Sequence, residues 1–201
     1  MILLEEIKNK IEIKGIIQVG ASTGQEVDQF KTLTSNIILF EPIPEHFIFL
    51  KNTFSDCLVF GCGLGDENIN KPLLLSSNNG ESSSFLKPLN HLISYPDIQF
   101  NNSIDVDIKR FDSLEIDIKK YNVLISDTQG YELKVLIGFG NLLNHIDAIV
   151  VEYINSSLYV GDSTLEQISN YLKQYNFYIY SKSDEYIGVG NALFFKHTKV
   201  N

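Results

Sequence analysis

Apolar residues in this chain fall into short runs separated by polar, turn-forming stretches. Ile16-Ile17-Gln18-Val19, Ile37-Ile38-Leu39-Phe40, Val123-Leu124-Ile125 and Ala148-Ile149-Val150-Val151 are the most continuous of these runs. They predict strands at Gly15–Val19, Asn36–Phe40, Cys57–Gly61, Asn122–Ser126 and Ala148–Tyr153. Helices are expected between them at Gly24–Leu33, Glu45–Phe54, Phe111–Lys119, Gly130–Leu143 and Ser163–Tyr175, the last opened by a Ser163-x-x-Glu166 capping box. Ile2, Leu3, Leu4, Ile7 and Ile11 predict an amphipathic helix within residues 1–12 that lids the sheet edge. Ile104, Val106 and Ile108 alternate with Asp105, Asp107 and Lys109, a strand with one wet face. Phe177–Tyr180 and Ala192–Lys196, joined by Ser181–Gly190, read as a hairpin. The last strand then runs antiparallel in a sheet otherwise built by right-handed crossovers. The class is α/β: a doubly wound, mostly parallel seven-stranded sheet with an antiparallel C-terminal strand, in one domain over residues 1–201. Residues 76–103 are dominated by turn-formers and read as a long loop, either a flap or a solvated insertion.

Composition narrows the function classes. The 44% apolar content suits a globular chain, and 201 residues suffice for a full core. The net charge of −9 argues against a nucleic-acid partner held by its phosphates. Glu5, Glu6 and Lys8 interrupt the N-terminal apolar residues, so no signal peptide is expected, and no run approaches a membrane span. Cys57 and Cys62 are too few for a disulfide framework or a zinc site, which fits a cytoplasmic setting. The length also fits one module of a longer enzyme.

Two signals carry candidate chemistry. The first strand runs into a glycine loop, Gly20-Ala21-Ser22-Thr23-Gly24-Gln25, where backbone can approach a ligand closely. The second strand ends in Glu41-Pro42, with Glu41 placed 21 residues after Gly20 to accept hydrogen bonds from a ribose diol. Open α/β sheets bind ligands beyond these carboxyl ends. A dinucleotide fingerprint fails in both registers, since it would set glycines at Val19 and Ala21, or at Gln18 and Thr23. No Gly-Lys-Ser/Thr ending marks a P-loop. A glycine loop without a phosphate cradle suits a nucleoside carrying an amino-acid tail, namely S-adenosylmethionine.

Val19-Gly20-Ala21-x-x-Gly24-Gln25, then Phe40-Glu41-Pro42-x-Pro44, then Ser126-Asp127-Thr128-Gln129-Gly130-Tyr131-Glu132-Leu133-Lys134-Val135-Leu136-x-Gly138, together resemble the FkbM family of S-adenosylmethionine-dependent methyltransferases. The matched blocks span roughly residues 15–155, in the family's order. The resemblance implies a class I methyltransferase fold and methyl transfer to a hydroxyl of a sugar, glycan or natural product. It implies cofactor contacts from Gln18, Gly20, Ala21, Gly24, Glu41 and Pro42. Cys62 and Gly63 would border the adenine, and Asp127 would sit at the methionine and methyl end. It also implies that residues 76–103 close over cofactor or acceptor. Three positions depart from the family pattern: its acid is Gln18 here, its lysine Ile125, and its glutamate Gln129.

An alcohol acceptor needs its proton removed by a base in hydrogen-bond reach or by a metal. Asp127 and Glu152 end strands at the correct edge and are the candidate catalytic acids. Asp127 could equally cap the next helix, and Glu152 could be a structural acceptor. Glu132 reads as a first-turn acid complementing the helix dipole. Asp127 and Glu152 could share a divalent cation, but two acids do not establish one, and no metal is assigned. Among the histidines only His91, in residues 76–103, is placed to act as a base. Tyr153 and Tyr159 suit either core packing or stacking on a sugar. A non-catalytic cofactor-binding module and a nicotinamide-dependent oxidoreductase remain the rival functions.

Overall fold

A computed structural model of the chain describes residues 3–186 and 188–197. The strands are β1 (Ile16–Val19), β2 (Ile37–Phe40), β3 (Leu58–Phe60), β4 (Gly63–Leu64), β5 (Ile69–Leu75), β6 (Asn102–Lys109), β7 (Val123–Ser126), β8 (Ala148–Ile154), β9 (Phe177–Tyr186) and β10 (Val189–Lys196). The helices are α1 (Leu4–Lys8), α2 (Val27–Lys31), α3 (Pro44–Thr53), α4 (His91–Ser94), α5 (Glu132–Phe139) and α6 (Leu165–Lys173). Seven strands form one sheet in the order β3-β2-β1-β7-β8-β10-β9. The pairs from β3 across to β8 are parallel, and β10 is antiparallel to both β8 and β9. The expected sheet and its antiparallel C-terminal strand are therefore present.

The apolar runs work because the central strands are buried on both faces. Successive side chains alternate between two core layers. Ile17, Val19, Ile38, Phe40, Leu124 and Ile149 pack in one layer with Phe111, Phe139 and Leu172. Ile16, Ile37, Leu39, Val123, Ile125 and Val150 pack in the other with Val27, Phe30 and Leu50. From β1 the chain moves outward to β2 and β3, then returns through β7 to the opposite side. The gap between β1 and β7 is the topological switch point, where ligands of open α/β sheets bind.

Several expectations are corrected. Leu4 and Ile7 of α1 pack into the second layer with Ile16, Val123, Ala148 and Leu193, so this helix covers a sheet face instead of an edge. Residues 1 and 2 of the expected opening helix, and 198–201 of the expected domain, lie outside the described residues. The helix at Phe111–Lys119 is two short 3-10 turns, 111–113 and 118–120. Gly140, at φ +51°, ends α5, and a 3-10 turn follows to His145. The hairpin strands are longer than expected, because β9 and β10 continue through most of Ser181–Gly190, of which Ile187 is not described.

A second, three-stranded sheet, β4-β6-β5, was not anticipated beyond its β6 strand. Its β5 edge contains Pro72, which an edge strand tolerates because one N–H row needs no partner. Residues 76–101 leave and return between the paired Leu75 and Asn102. They are not an open loop. Leu74 bridges Ser84, Pro88 bridges Tyr159, and the backbone N–H groups of Leu89 and His91 donate to Leu158 O.

Candidate active site

The loop after β1 meets the end of β7 with no room for a side chain. The Asp127 N–H donates to Val19 O at 3.0 Å. Gly20 sits at φ +80°, and a Cβ there would lie 1.8 Å from Asp127 O. Only glycine closes the switch point. The result is a cleft of about 440 Å³ lined by Gln18, Gly20, Ser22, Glu26, Glu41, Pro42, His46, Cys62, Gly63, Phe85, Asp127 and Gln129, among others. That volume suits a ligand of cofactor size.

Glu41 is 4% exposed and anchors one wall. The Ser22 N–H donates to Oε2 at 2.8 Å and the Ile43 N–H to Oε1 at 2.9 Å. Burial nevertheless pushes this carboxyl up to about 7, against the lowering effect of the two N–H donors. His46, from α3, approaches to 4.0 Å from Oε1, and its Nδ1 has no hydrogen-bond partner among the described residues. Gly80 lies over this corner: a Cβ there would come within 2.6 Å of Ile43 and 3.2 Å of His46. The excursion between β5 and β6 thus roofs the Glu41 end.

Gln18 supplies the deeper polar group. It is 3% exposed, its Nε2 donates to Glu26 at 3.1 Å, and its Oε1 is buried without a partner among the described residues. Such an oxygen calls for a donor from a ligand. Cys62, Gly63, Leu64 and Phe85 give the same cleft an apolar stretch of wall. Burial pushes the Cys62 thiol up to about 11, so it stays protonated and serves as surface.

Four side chains converge nearby, Asp127 and Gln129 from the turn after β7, Glu152 from β8 and Tyr159. Gln129 follows β7 at φ +54°, a conformation that non-glycine residues rarely adopt. Its Nε2 donates to Asp127 Oδ1 at 2.9 Å and to Glu152 Oε2 at 3.0 Å. The Tyr159 hydroxyl lies 3.0 Å from Gln129 Oε1 and 2.8 Å from Ser82 O, in donor geometry to both. The space between the two carboxylates is therefore filled by an amide. Among the described residues no group of three His, Cys, Asp or Glu side chains gathers as a metal site. Glu132 is fully buried, and its Oε1 accepts from Thr128 N, Thr128 Oγ1 and Gly130 N. It ties the turn after β7 as well as opening α5, and burial pushes it up to about 7.

The model of the Methyltransferase FkbM domain matches residues 18–179. The chain belongs to the FkbM methyltransferase family. A FkbM methyltransferase from Methylobacillus flagellatus KT superposes with a TM-score of 0.61 at 17% identity. That alignment covers 92% of this chain and 44% of that one, so the chain spans less than half of that relative's length. An S-adenosylmethionine-dependent methyltransferase from Clostridium acetobutylicum ATCC 824 gives 0.56 at 10% identity, covering 98% and 89% of the two chains. A ribosomal protein L11 methylase from Lactobacillus delbrueckii subsp. bulgaricus gives 0.55 at 11%, covering 97% and 76%. These likenesses establish the class I methyltransferase fold. Curated protein sequences gave no match.

S-adenosylmethionine is the cofactor of this family, and the cleft suits it. The unpartnered Gln18 oxygen, the buried Glu41 carboxylate and the apolar wall at Cys62–Leu64 match its ammonium, its diol and its base in kind. Of the FkbM-like positions read from sequence, the structure brings Gln18, Gly20, Glu41, Pro42, Cys62, Gly63 and Asp127 to the cleft wall. Ala21 and Gly24 are not on it. The Ala21 N–H donates to Phe40 O, and Gly24, at φ +77°, packs so tightly that a Cβ would meet Phe54 at 2.6 Å. Glu152 lines a neighbouring cleft of about 230 Å³ with His91 and Tyr95, and Gln129 borders both clefts. Sequence reading missed Glu26, Ser22, His46 and Phe85 as cleft residues. Of these only Glu26, an acid opening the helix after the glycine loop, left a legible signal. It also sets a carboxylate directly behind Gln18, where the family pattern has one in line.

Proposed function

We propose that this FkbM domain is an S-adenosylmethionine-dependent O-methyltransferase acting on a hydroxyl, that of a sugar in a glycan or glycoconjugate. The observation that carries the reading is the pair of carboxylates, Asp127 just after β7 and Glu152 within β8, spanned by the Gln129 amide where the two clefts meet. Glu41 accepts from the ribose hydroxyls and Gln18 Oε1 from the ammonium, with Glu26 behind it supplying the charge that an amide lacks. Cys62 and Gly63 border the adenine, while Gly20 and Pro42 let backbone approach. Ala21 and Gly24 act through the shape of the loop.

When bound, the sulfonium supplies an activated methyl group. The residues align the acceptor with it, which is the main requirement of an in-line displacement. Asp127 or Glu152 would take the proton of the acceptor hydroxyl as that oxygen accepts the methyl group the sulfonium would supply. The chain's length relative to the Methylobacillus protein is in keeping with one module of a larger glycan-modifying enzyme. Among the described residues no helix is long and apolar enough to cross a membrane, and both cysteines are free, which suits a cytoplasmic setting.

Methyl-labelled S-adenosylmethionine incubated with free and nucleotide-linked sugars tests the assignment. Label should appear on an oxygen and fall ~100-fold or more in Asp127→Asn. Label on nitrogen or carbon, or a rate indifferent to both Asp127→Asn and Glu152→Gln, would overturn it.

A further inference from the structure

We propose that the cleft of about 230 Å³ beside the cofactor site is the acceptor subsite, and that it takes one neutral, hydroxyl-rich ring held by His91, Glu152 and Gln129. The inference rests on the methyl-transfer reading and adds the place, the residues and the charge class of the acceptor.

The cleft is built by the excursion between β5 and β6 closing on β8. His91, on α4, is 2% exposed, and its N–H is pinned to Leu158 O at 3.1 Å. Its ring is boxed by Tyr95, Phe100 and Tyr159, with centroids 4.9, 5.1 and 5.4 Å away. Its Nδ1 is buried and has no partner among the described residues. His91 lines the cleft, and a histidine fixed in place with a polar atom left unsatisfied is a candidate partner for a ligand group there. Burial lowers this imidazole's pKa, so it is neutral near pH 7 and can both donate and accept. A hydroxyl can do the same.

The remaining wall repeats that preference. Glu81, Glu152, Asn78, Ser82 and Gln129 offer acceptors and donors, while Ile98 and Leu158 offer an apolar surface. Two carboxylates without a cation on the lining disfavour phosphate or carboxylate groups. The volume falls below the ~300–1,000 Å³ of drug-sized pockets, which limits the occupant to about one ring. Gln129 and Glu81 line both clefts, so a ring here is next to the cofactor site without sharing its floor.

The test uses the full chain, isotope-labelled and saturated with S-adenosylhomocysteine. It is titrated with glucose, galactose and mannose, with glucosamine and glucose 6-phosphate as charged comparators. The His91 ring and Gln129 side-chain resonances should move saturably with at least one neutral hexose. His91→Phe keeps the aromatic packing but removes the nitrogen; it should weaken that sugar ~10-fold or more and leave S-adenosylhomocysteine affinity within about twofold. Glu152→Gln should weaken the same sugar without loss of fold. The proposal is overturned if no neutral hexose moves His91, if binding survives both variants, or if a charged comparator binds more tightly. Failure of S-adenosylhomocysteine to bind would instead overturn the methyl-transfer reading, while hexose binding at His91 would still stand.

Discussion

The two clefts are neighbours built by different means. The cofactor cleft is shaped by backbone: Gly20 closes against Asp127 O, and Glu41 is held by the N–H groups of Ser22 and Ile43. The second cleft is shaped by side chains from distant segments: Gln129, Tyr159, Glu152 and His91. Backbone geometry accepts few substitutions at all. A side-chain network can change one residue at a time and alter what it recognises. On the proposed reading the cofactor lies against the rigid wall and the acceptor against the adjustable one.

The largest effect should come from breaking the backbone side. Gly20→Ala forces a Cβ onto a carbonyl oxygen at positive φ and should cost about 3 kcal/mol or more, read as a large drop in thermal midpoint. Gly161→Ala is the control. It shares the positive φ but meets nothing within 4 Å, so about 1 kcal/mol is expected. Equal losses at the two glycines would contradict the close-approach argument.

On the side-chain side, Tyr159→Phe removes the one buried O–H proton that Gln129 Oε1 and Ser82 O compete for. A stability loss of about 1–2 kcal/mol is expected by chemical denaturation, with S-adenosylhomocysteine affinity unchanged. Gln129→Glu restores the family residue but places a third carboxylate between Asp127 and Glu152. It should destabilise by about 1 kcal/mol at pH 8 and recover on acidification, because like charges favour protonation. No pH dependence of that difference would mean the three groups do not interact.

A titration sharpens the comparison through pH. Burial holds Glu41 near 7, above its ordinary value of 4.5. The ligand-free fold therefore binds more protons there than the unfolded chain does. Its contribution to stability is full below about pH 4.5 and lost as pH rises through 7. Glu132 acts in the same direction. Ligand hydroxyls donate to the ionised form, so binding has the opposite sign: affinity for S-adenosylhomocysteine should fall roughly tenfold from pH 8 to pH 6. Parallel changes in stability and affinity would refute the assignment of Glu41.

The backbone side was also the more legible one. Continuous apolar runs mark strands buried on both faces, and Glu41 follows the glycine loop at a spacing set by one βαβ unit. The second cleft left no such trace, because His91, Gln129 and Glu152 meet only through tertiary contacts. Local ambiguity explains other misses. Ser163-x-x-Glu166 and Thr164-x-x-Gln167 are overlapping capping boxes, and the structure uses Thr164 with Gln167. Ser163 is already engaged, donating to Gly130 O and accepting from Leu133 N. β5 was hidden by Pro72 and by a burial pattern with no clean alternation.

The most direct test is a calorimetric titration of the purified chain with S-adenosylmethionine and S-adenosylhomocysteine, with NAD and Glu41→Ala as controls. Both adenosyl ligands should bind at one site, NAD should not, and Glu41→Ala should lose ~10-fold or more of the affinity while remaining folded. A folded wild-type chain that binds neither adenosyl ligand, or binds them equally well without the Glu41 carboxylate, would contradict the account.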